Sequence, residues 1–152
     1  MITIKDIINS IIREISVCVP EAEHYTGKIA EGFNPPAFLY LPVFNGNGRR
    51  NAFFKDTTVE IQVVYFGKTD LYGTVVFDEK MKIAERVRAF LDTYQLKVKN
   101  RKLHFNYEMR EADEQLTYYI RTQFMEEAPT PEFLEGQKQE TAERVEFTER
   151  VK

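Results

Sequence analysis

Histidine, cysteine and clustered carboxylates are the side chains most able to catalyse a reaction or bind a metal, and this chain has few of them. Its two histidines, His24 and His104, are 80 residues apart and have no partner at the spacing that metal ligands need. Cys18 is the single cysteine, so neither an intramolecular disulfide nor a cysteine-based zinc site can form. We expect surface or hydrogen-bonded histidines and a buried, unreactive thiol.

Four carboxylates lie around one predicted turn: Glu108, Glu111, Asp113 and Glu114. Such a group could bind a cation or act as a general acid and base. Its spacing does not match a calcium-binding loop, and hairpin tips are commonly acidic because solvent surrounds them. With no base, nucleophile or ligand set assembled elsewhere, we predict that the protein is not an enzyme and uses no cofactor or metal.

Two basic clusters are the only candidates for contact with nucleic acid. The first is Arg49-Arg50, and the second consists of Lys97, Lys99, Arg101 and Lys102 around a predicted turn at Asn100. The first follows Gly46 and Gly48 but lacks the Gly-Lys-Ser/Thr sequence of a phosphate-binding loop. Each cluster could be a solvated turn, or it could contact a phosphate backbone or an acidic protein partner.

The overall composition is that of a folded protein with no general affinity for polyanions. The chain has 152 residues, of which 43% are hydrophobic and 30% charged, as is typical of one globular domain. Its formal net charge of −3 supplies no basic excess to draw it to nucleic acid or anionic membranes. Lys5, Asp6, Arg13 and Glu14 interrupt the first segment, so we expect neither a signal peptide nor a membrane span, and a cytoplasmic place of synthesis and assembly.

The first of the elements that must position these residues is an amphipathic helix over about residues 3–18. Six isoleucines recur at the i, i+3, i+4, i+7 spacing of one helix face: Ile4, Ile7, Ile8, Ile11, Ile12 and Ile15. Thr3 is the expected N-cap, with Asp6 in the first turn and Pro20 beyond the end.

The rest of the chain is mainly strand-like, apart from a second helical stripe over about 78–94 with Asp78 as its expected N-cap. Residues 38–41 and 53–66 are rich in Val, Ile, Phe and Tyr, and the second run alternates apolar and polar side chains as a half-buried strand does. The sequence Asn-Gly-Asn-Gly at 45–48 predicts a turn or a flexible loop between them.

Two further alternating runs, 103–110 and 116–124, predict an antiparallel hairpin that turns through residues 111–114. Together, these helices and strands predict an α+β fold over residues 1–127. We expect a mixed or antiparallel sheet with two helices packed on one face.

Residues 128–152 are expected to form a charged, extended C-terminal arm. Residues 126–152 hold eight acidic and four basic side chains, a composition typical of a solvated tail. Val145, Phe147 and Val151 nevertheless alternate with other residues as in a strand. The alternative is therefore that the arm adds to the sheet edge of another chain.

Three stretches in order carry a resemblance to a known family. They are residues 1–8, residues 28–38 with a Gly-Phe-x-x-Pro element, and Arg49-Arg50 leading into residues 59–66, which end in Tyr-Phe. With the second helix and the closing strands, to about residue 125, this order resembles the small tail terminator proteins of tailed phages and of phage-tail-like particles of Gram-positive bacteria.

The resemblance implies a structural virion protein. Its subunits would form a hexameric ring that caps the head-proximal end of the tail tube, stops tube growth and joins the tube to the neck or head. The implied partners are other copies of the chain, the tail tube protein, a neck or connector protein and, in a contractile tail, the sheath protein. DNA would only pass through the lumen, with no membrane contact. The ring would be assembled in the host cytoplasm.

Candidate contact residues follow from this reading. Val145, Phe147 and Val151 would anchor the arm on an adjacent subunit or the sheath, and the two basic clusters would face the lumen, DNA or a protein partner. Two alternatives remain. One is another head–tail connector or neck protein; the other is a small nucleic-acid-binding protein that uses the turn at residues 97–102.

Overall fold

The computed structural model describes residues 1–112 and 115–128, which form two helices and six strands. In chain order these are α1 (Ile4–Cys18), β1 (Glu23–Thr26), β2 (Ala37–Arg49), β3 (Phe54–Phe66), α2 (Phe77–Leu91), β4 (Gln95–Val98), β5 (Arg101–Ala112) and β6 (Gln115–Glu127). The arm from residue 129 onward, with Val145, Phe147 and Val151, lies outside the described residues, as do Asp113 and Glu114.

Helix α1 begins as predicted. The Thr3 hydroxyl accepts a hydrogen bond from the Asp6 N–H (3.1 Å), and the Asp6 carboxylate accepts one from the Thr3 N–H (2.8 Å). This capping box satisfies two backbone donors at the helix start. The isoleucine stripe is buried at Ile7, Ile8, Ile11 and Ile15. Because isoleucine is a mediocre helix former, this packing supplies most of the helix stability.

Helix α2 is shorter than predicted, and Asp78 is not its cap. The N-cap is Val76, which makes no side-chain capping bond. Its N–H instead donates to the Lys68 carbonyl (3.1 Å), and this bond holds the extended entry to the helix. Asp78 lies in the first turn, where its charge still favours the positive helix end. The helix ends at Leu91, before Tyr94 adopts a left-handed backbone (φ 55°).

The six strands form one mixed sheet in the order β1-β2-β3-β6-β5-β4. β1 pairs with β2 in parallel, and all other neighbours are antiparallel. The predicted hairpin is present, because Ala112 pairs with Gln115. The predicted turn at Asn100 joins β4 to β5, because Val98 pairs with Arg101. β6 ends at Glu127, two residues before Pro129, which has no backbone N–H to continue the sheet.

Residues 45–48 are not a turn; that prediction was wrong. They belong to β2 and pair with β3, and Asn47 Oδ1 accepts a hydrogen bond from the Thr57 hydroxyl (2.8 Å). The turn lies at residues 50–53, where Asn51 Oδ1 accepts from two successive backbone N–H groups. Pairing with a long neighbouring strand overrides the local turn preference of Asn-Gly.

The sheet has one covered face and one open face. Both helices contribute to a single core with the alternate side chains of β3, which are Val59, Ile61, Val63 and Tyr65, as predicted. The covered face also buries Tyr40 and Tyr118 completely or nearly so. On the open face lie the intervening residues, such as Leu41, Glu60 and Arg121, and no helix in the described part of the chain packs there.

Candidate assembly surfaces

Neither histidine is placed to bind a metal. His24 lies between the Ser16 hydroxyl (3.1 Å from Nε2) and the Tyr40 hydroxyl (2.8 Å from Nδ1), and burial lowers the pKa of its ring. His104 is exposed on β5. The histidines are thus hydrogen-bonded and surface residues, as expected. Within residues 1–112 and 115–128, no group of three His, Cys, Asp or Glu side chains could hold a metal ion.

Cys18 ends α1 and packs against the core. Burial raises the pKa of its thiol, which suits an unreactive role. Beside it, Arg86 of α2 donates to the Cys18 carbonyl (3.0 Å) and makes two bonds to Glu21 (2.6 and 2.7 Å). These bonds lower the pKa of Glu21 to about 2. The adjoining surface cavity of about 230 Å³ is smaller than ordinary ligand pockets, so Arg86 here ties α2 to the end of α1.

The predicted carboxylate group does not form a cation site in the described structure. Glu108 pairs with Arg110 (2.8 Å), and Glu111 pairs with Lys80 (2.6 Å), whose side chain is only 4% exposed. The other two carboxylates lie outside the described residues. The two that are described are therefore already neutralised by basic neighbours.

The two basic clusters, which are far apart in sequence, lie at the same end of the sheet, with β3 and β6 between them. β2 ends there, and the turn between β4 and β5 lies beside the start of β3 and the end of β6. We call this surface the basic end; its members are Arg49, Arg50, Lys97, Lys99, Arg101 and Lys102. The sheet topology places both clusters at this end, because 46 residues of chain separate Arg50 from Lys97.

Four of these six side chains hold the fold together at the basic end: Arg49, Arg50, Lys99 and Arg101. Lys99 Nζ donates to the Met1 carbonyl (2.8 Å) and pairs with Asp6 (3.2 Å). Arg101 donates to the Met125 carbonyl (2.9 Å). The positive charges of these residues are therefore used in contacts within the subunit.

Lys97 and Lys102 are different. They lie directly opposite each other on β4 and β5, and both are exposed. Like charges at such positions repel each other. Neither ammonium group has a hydrogen bond or an ion pair within the part of the chain that the structure describes. An anionic partner would relieve this repulsion, so the pair is the best candidate for contact with a phosphate or an acidic protein.

A loop tip that the sequence analysis did not identify carries the most exposed apolar pair in residues 1–112 and 115–128. Leu71 and Tyr72 are 100% and 90% exposed between β3 and α2. The tip is a hydrogen-bonded turn: the Asp70 carboxylate accepts from the N–H groups of Tyr72 (2.8 Å) and Thr74 (3.0 Å), and Gly73 has φ +79°. The sequence does contain a signal for this tip. Two apolar residues occupy the middle of an Asp-x-x-Gly turn, where polar residues are usual.

The open face of the sheet carries charges that compensate one another. Arg121 pairs with Glu60 (3.5 Å) and stacks over the Phe44 ring (5.3 Å to its centroid). Arg110 stacks over Tyr119 (5.2 Å) and is the partner of a carboxylate on its own strand. A face composed this way neither attracts nor repels polyanions strongly.

Comparison with known protein families decides what kind of protein carries these surfaces. A family model described as phage tail terminator protein matches residues 6–132. The chain belongs to this family. The match runs from the first turn of α1 through β6, so the whole described fold is that of a tail terminator. Tail terminators are structural proteins of the virion tail, and this one is therefore a viral protein that takes part in tail assembly and contacts other tail components.

The other comparisons add little to the tail terminator assignment. No curated protein matches the sequence. One solved structure aligns over 86% of this chain and 99% of its own, with 11% identity and a TM-score of 0.41, a likeness that supports no inference about function. Neither helix among the described residues is both long and apolar enough to span a membrane.

Proposed function

We propose that this tail terminator forms a homohexameric ring that caps the head-proximal end of the tail tube, stops its growth and joins it to the neck or head. Family membership supports the terminating role, and the six-fold ring follows from the family resemblance. A closed ring needs a heterologous contact, in which two different patches of one subunit meet neighbouring subunits. The Leu71–Tyr72 tip, the basic end and the open face supply distinct patches of this kind.

The Leu71–Tyr72 tip is the observation that carries this proposal. Full exposure of one leucine forgoes about 1.5–3 kcal/mol that its burial would contribute. The Asp70 turn holds both side chains away from the core rather than letting them fold back. Tyrosine and other large apolar residues held in this way are typical of protein interfaces. The tip thus contacts an adjacent tail component, either the next ring subunit or the tube.

Imaging of the particle that contains this protein tests the proposal. Particles from a strain that lacks the gene should have tubes of abnormal or uncontrolled length. Particles with the gene should carry a six-fold ring at one tube end. Normal tube length with unattached heads would point instead to a neck protein, and unaltered particles would contradict both structural roles.

A double variant, Leu71→Asp with Tyr72→Asp, tests the tip itself. It should reproduce the tube-length defect of the deletion while the purified protein keeps its melting temperature, because both side chains are outside the core. Val17→Asp is the matched control, since Val17 is an apolar residue that is 75% exposed on α1. Normal tube length in the double variant would show that the tip makes no contact needed for assembly.

The Lys97 and Lys102 pair favours a second candidate function, binding of nucleic acid. This reading predicts salt-sensitive DNA binding that weakens in the Lys97→Gln, Lys102→Gln variant, with the salt dependence reduced by about two counterions. A tail terminator whose basic end only borders the lumen would bind DNA weakly with or without the two lysines. Filter binding at two salt concentrations distinguishes these outcomes.

The C-terminal arm is the remaining part of the proposal. We assign Val145, Phe147 and Val151 to contact with the adjacent subunit or, in a contractile tail, with the last sheath ring. A chain that stops after Ala128 should keep the ring fold, because all helices and strands of the described structure precede that residue. It should attach more loosely to its neighbour. Unchanged attachment would contradict this role for the arm.

A further inference from the structure

Among the described residues, one side of β2 is largely without a neighbouring strand. β2 has thirteen residues, whereas β1 beside it has four and pairs only with residues 37–40. β3 occupies the other side as far as Arg49. Within the described chain, no strand or backbone hydrogen bond reaches the outer side of residues 41–49. We call this the β2 free edge; it is about 30 Å long.

The backbone direction along this edge follows from the turn next to it. The Arg50 N–H donates across to the Phe54 carbonyl (2.9 Å), so it faces β3. Backbone groups of successive strand residues point to opposite sides. The N–H and C=O groups of Arg49, Asn47 and Asn45 therefore point outward, in the arrangement that accepts an added strand.

The β2 free edge lacks most of the features that protect exposed strands from pairing. Pro42 and the irregularity that follows it interrupt only the beginning of the edge. Proline and charged side chains are the usual features that prevent an exposed strand from pairing. Beyond Pro42 and this irregularity, residues 44–48 contain neither. Val43 and Phe44 are 48% and 46% exposed, so an added strand would also find apolar contacts.

We propose that residues 144–151 of a neighbouring copy add to the β2 free edge as a strand. This inference rests on the proposed ring, because it needs a second subunit alongside the first. Eight residues extend over about 26 Å, close to the length of the edge. Val145, Phe147 and Val151 fall on one side of that strand by alternation, and their types favour β structure.

The place where the arm leaves the fold supports a neighbouring copy as the donor. The Ala128 N–H bonds to the Phe53 carbonyl (2.7 Å) in the turn between β2 and β3. The next fifteen residues, 129–143, can reach about 50 Å, whereas a domain of this size has a radius of gyration of about 14 Å. A return to the outer side of the chain's own β2 would cross only β3 and β2, about 14 Å, so this connection is several times longer than such a return needs.

Cross-linking of the full-length chain tests this exchange. Cysteines at Asn45 and Thr148, in a Cys18→Ala background, are joined with a short bis-maleimide in purified particles and in the isolated protein. Intermolecular products up to six chains are expected. The matched control moves the first cysteine from Asn45 to Val17, which is exposed on α1 away from the edge. A further change, Phe147→Asp with Val145→Asp, should reduce cross-linking at least about tenfold, because it removes the apolar contacts.

Each outcome decides the question. Cross-links from position 45 but not from position 17 support strand addition between copies. A cross-link between positions 45 and 148 within one chain would mean that the arm folds onto its own edge. Equal yields from positions 45 and 17 would mean that the arm has no specific site. Either result overturns the inference. Tube length distinguishes this failure from failure of the proposed function: if deletion of the gene releases tube growth but no cross-link forms, the terminator role stands without the strand exchange.

Discussion

The covered and open faces of the sheet are built from alternate residues of the same strands, yet they serve different purposes. On the covered face Ile61 is 1% exposed beneath the helices, and both ring nitrogens of His24 have partners, whereas the buried Tyr118 hydroxyl has none among the described residues. On the open face Arg121 and Glu60 neutralise each other over an aromatic ring. The contrast shows that stability is concentrated on the covered face, while the part of the open face around Glu60 and Arg121 is polar, balanced in charge and accessible to other tail components.

The largest expected effect tests this contrast directly. Ile61→Ala on the covered face should lower the free energy of unfolding by about 2–5 kcal/mol, since a cavity forms in a closed core. Leu41→Ala on the open face should lower it by at most about 1 kcal/mol, because Leu41 is only half-buried. Urea denaturation of both variants measures the difference. Equal losses would show that the open face is as much a core as the covered one.

A second test concerns a buried hydrogen bond on the covered face, at the basic end of the sheet. The Ile2 N–H donates to the buried Glu126 carboxylate (2.8 Å). Glu126→Leu should cost about 1–3 kcal/mol, because a buried donor is left without an acceptor. Glu126→Gln keeps an acceptor and should cost less. Thermal melting of the two variants gives the comparison, and a stable leucine variant would mean that water satisfies the Ile2 amide.

The open face offers a smaller effect. Arg121→Ala removes the stacking over Phe44 and the pairing with Glu60, and exposed interactions of this kind contribute at most about 1 kcal/mol. The stability loss should shrink further in high salt, as measured by urea denaturation in low and high sodium chloride. A loss as large as that of Ile61→Ala would contradict the division between the faces.

The smallest expected effect is a pH dependence on the covered face. Burial lowers the pKa of folded His24 below its unfolded value near 6.5. The neutral ring therefore contributes stability above pH 6.5, and this contribution is lost as the pH falls through the folded pKa. Melting temperatures between pH 7.5 and 5.5 should decline in the parent chain and stay flatter in His24→Gln. Glu21, with a pKa of about 2, loses its contribution only below about pH 4.5.

Elements with a strong local period were predictable. The isoleucine stripe and the Thr3 and Asp6 cap placed α1 within one residue of its observed start, and the alternation in β3 identified its buried side. Prediction failed where a local preference competed with a distant strand. Residues 45–48 favour a turn in isolation, but β3 supplies backbone partners along their whole length. Asp78 is a good capping residue, but the bond between Val76 and Lys68 sets an earlier helix start.

The candidate surfaces were predictable only in part. The basic residues were visible in the sequence, but their roles were not. Arg49, Arg50, Lys99 and Arg101 make hydrogen bonds or ion pairs within the fold, whereas Lys97 and Lys102 make none among the described residues. The Leu71–Tyr72 tip was missed because two apolar residues in a loop have no period to reveal them. Its significance depends on exposure, a property of the folded chain.

The α+β class, the helix-covered side of β3 and the family could all be read from the amino-acid sequence, since these depend on periodicity and residue order along the chain. Three features emerge only in the folded chain: the two basic clusters share one end of the sheet, Leu71 and Tyr72 are exposed to solvent, and β2 extends beyond β1 to leave a free edge. The difference arises because the local period of apolar residues specifies which side of a helix or strand is buried. Strand order and strand overlap instead arise from contacts between residues far apart in the chain.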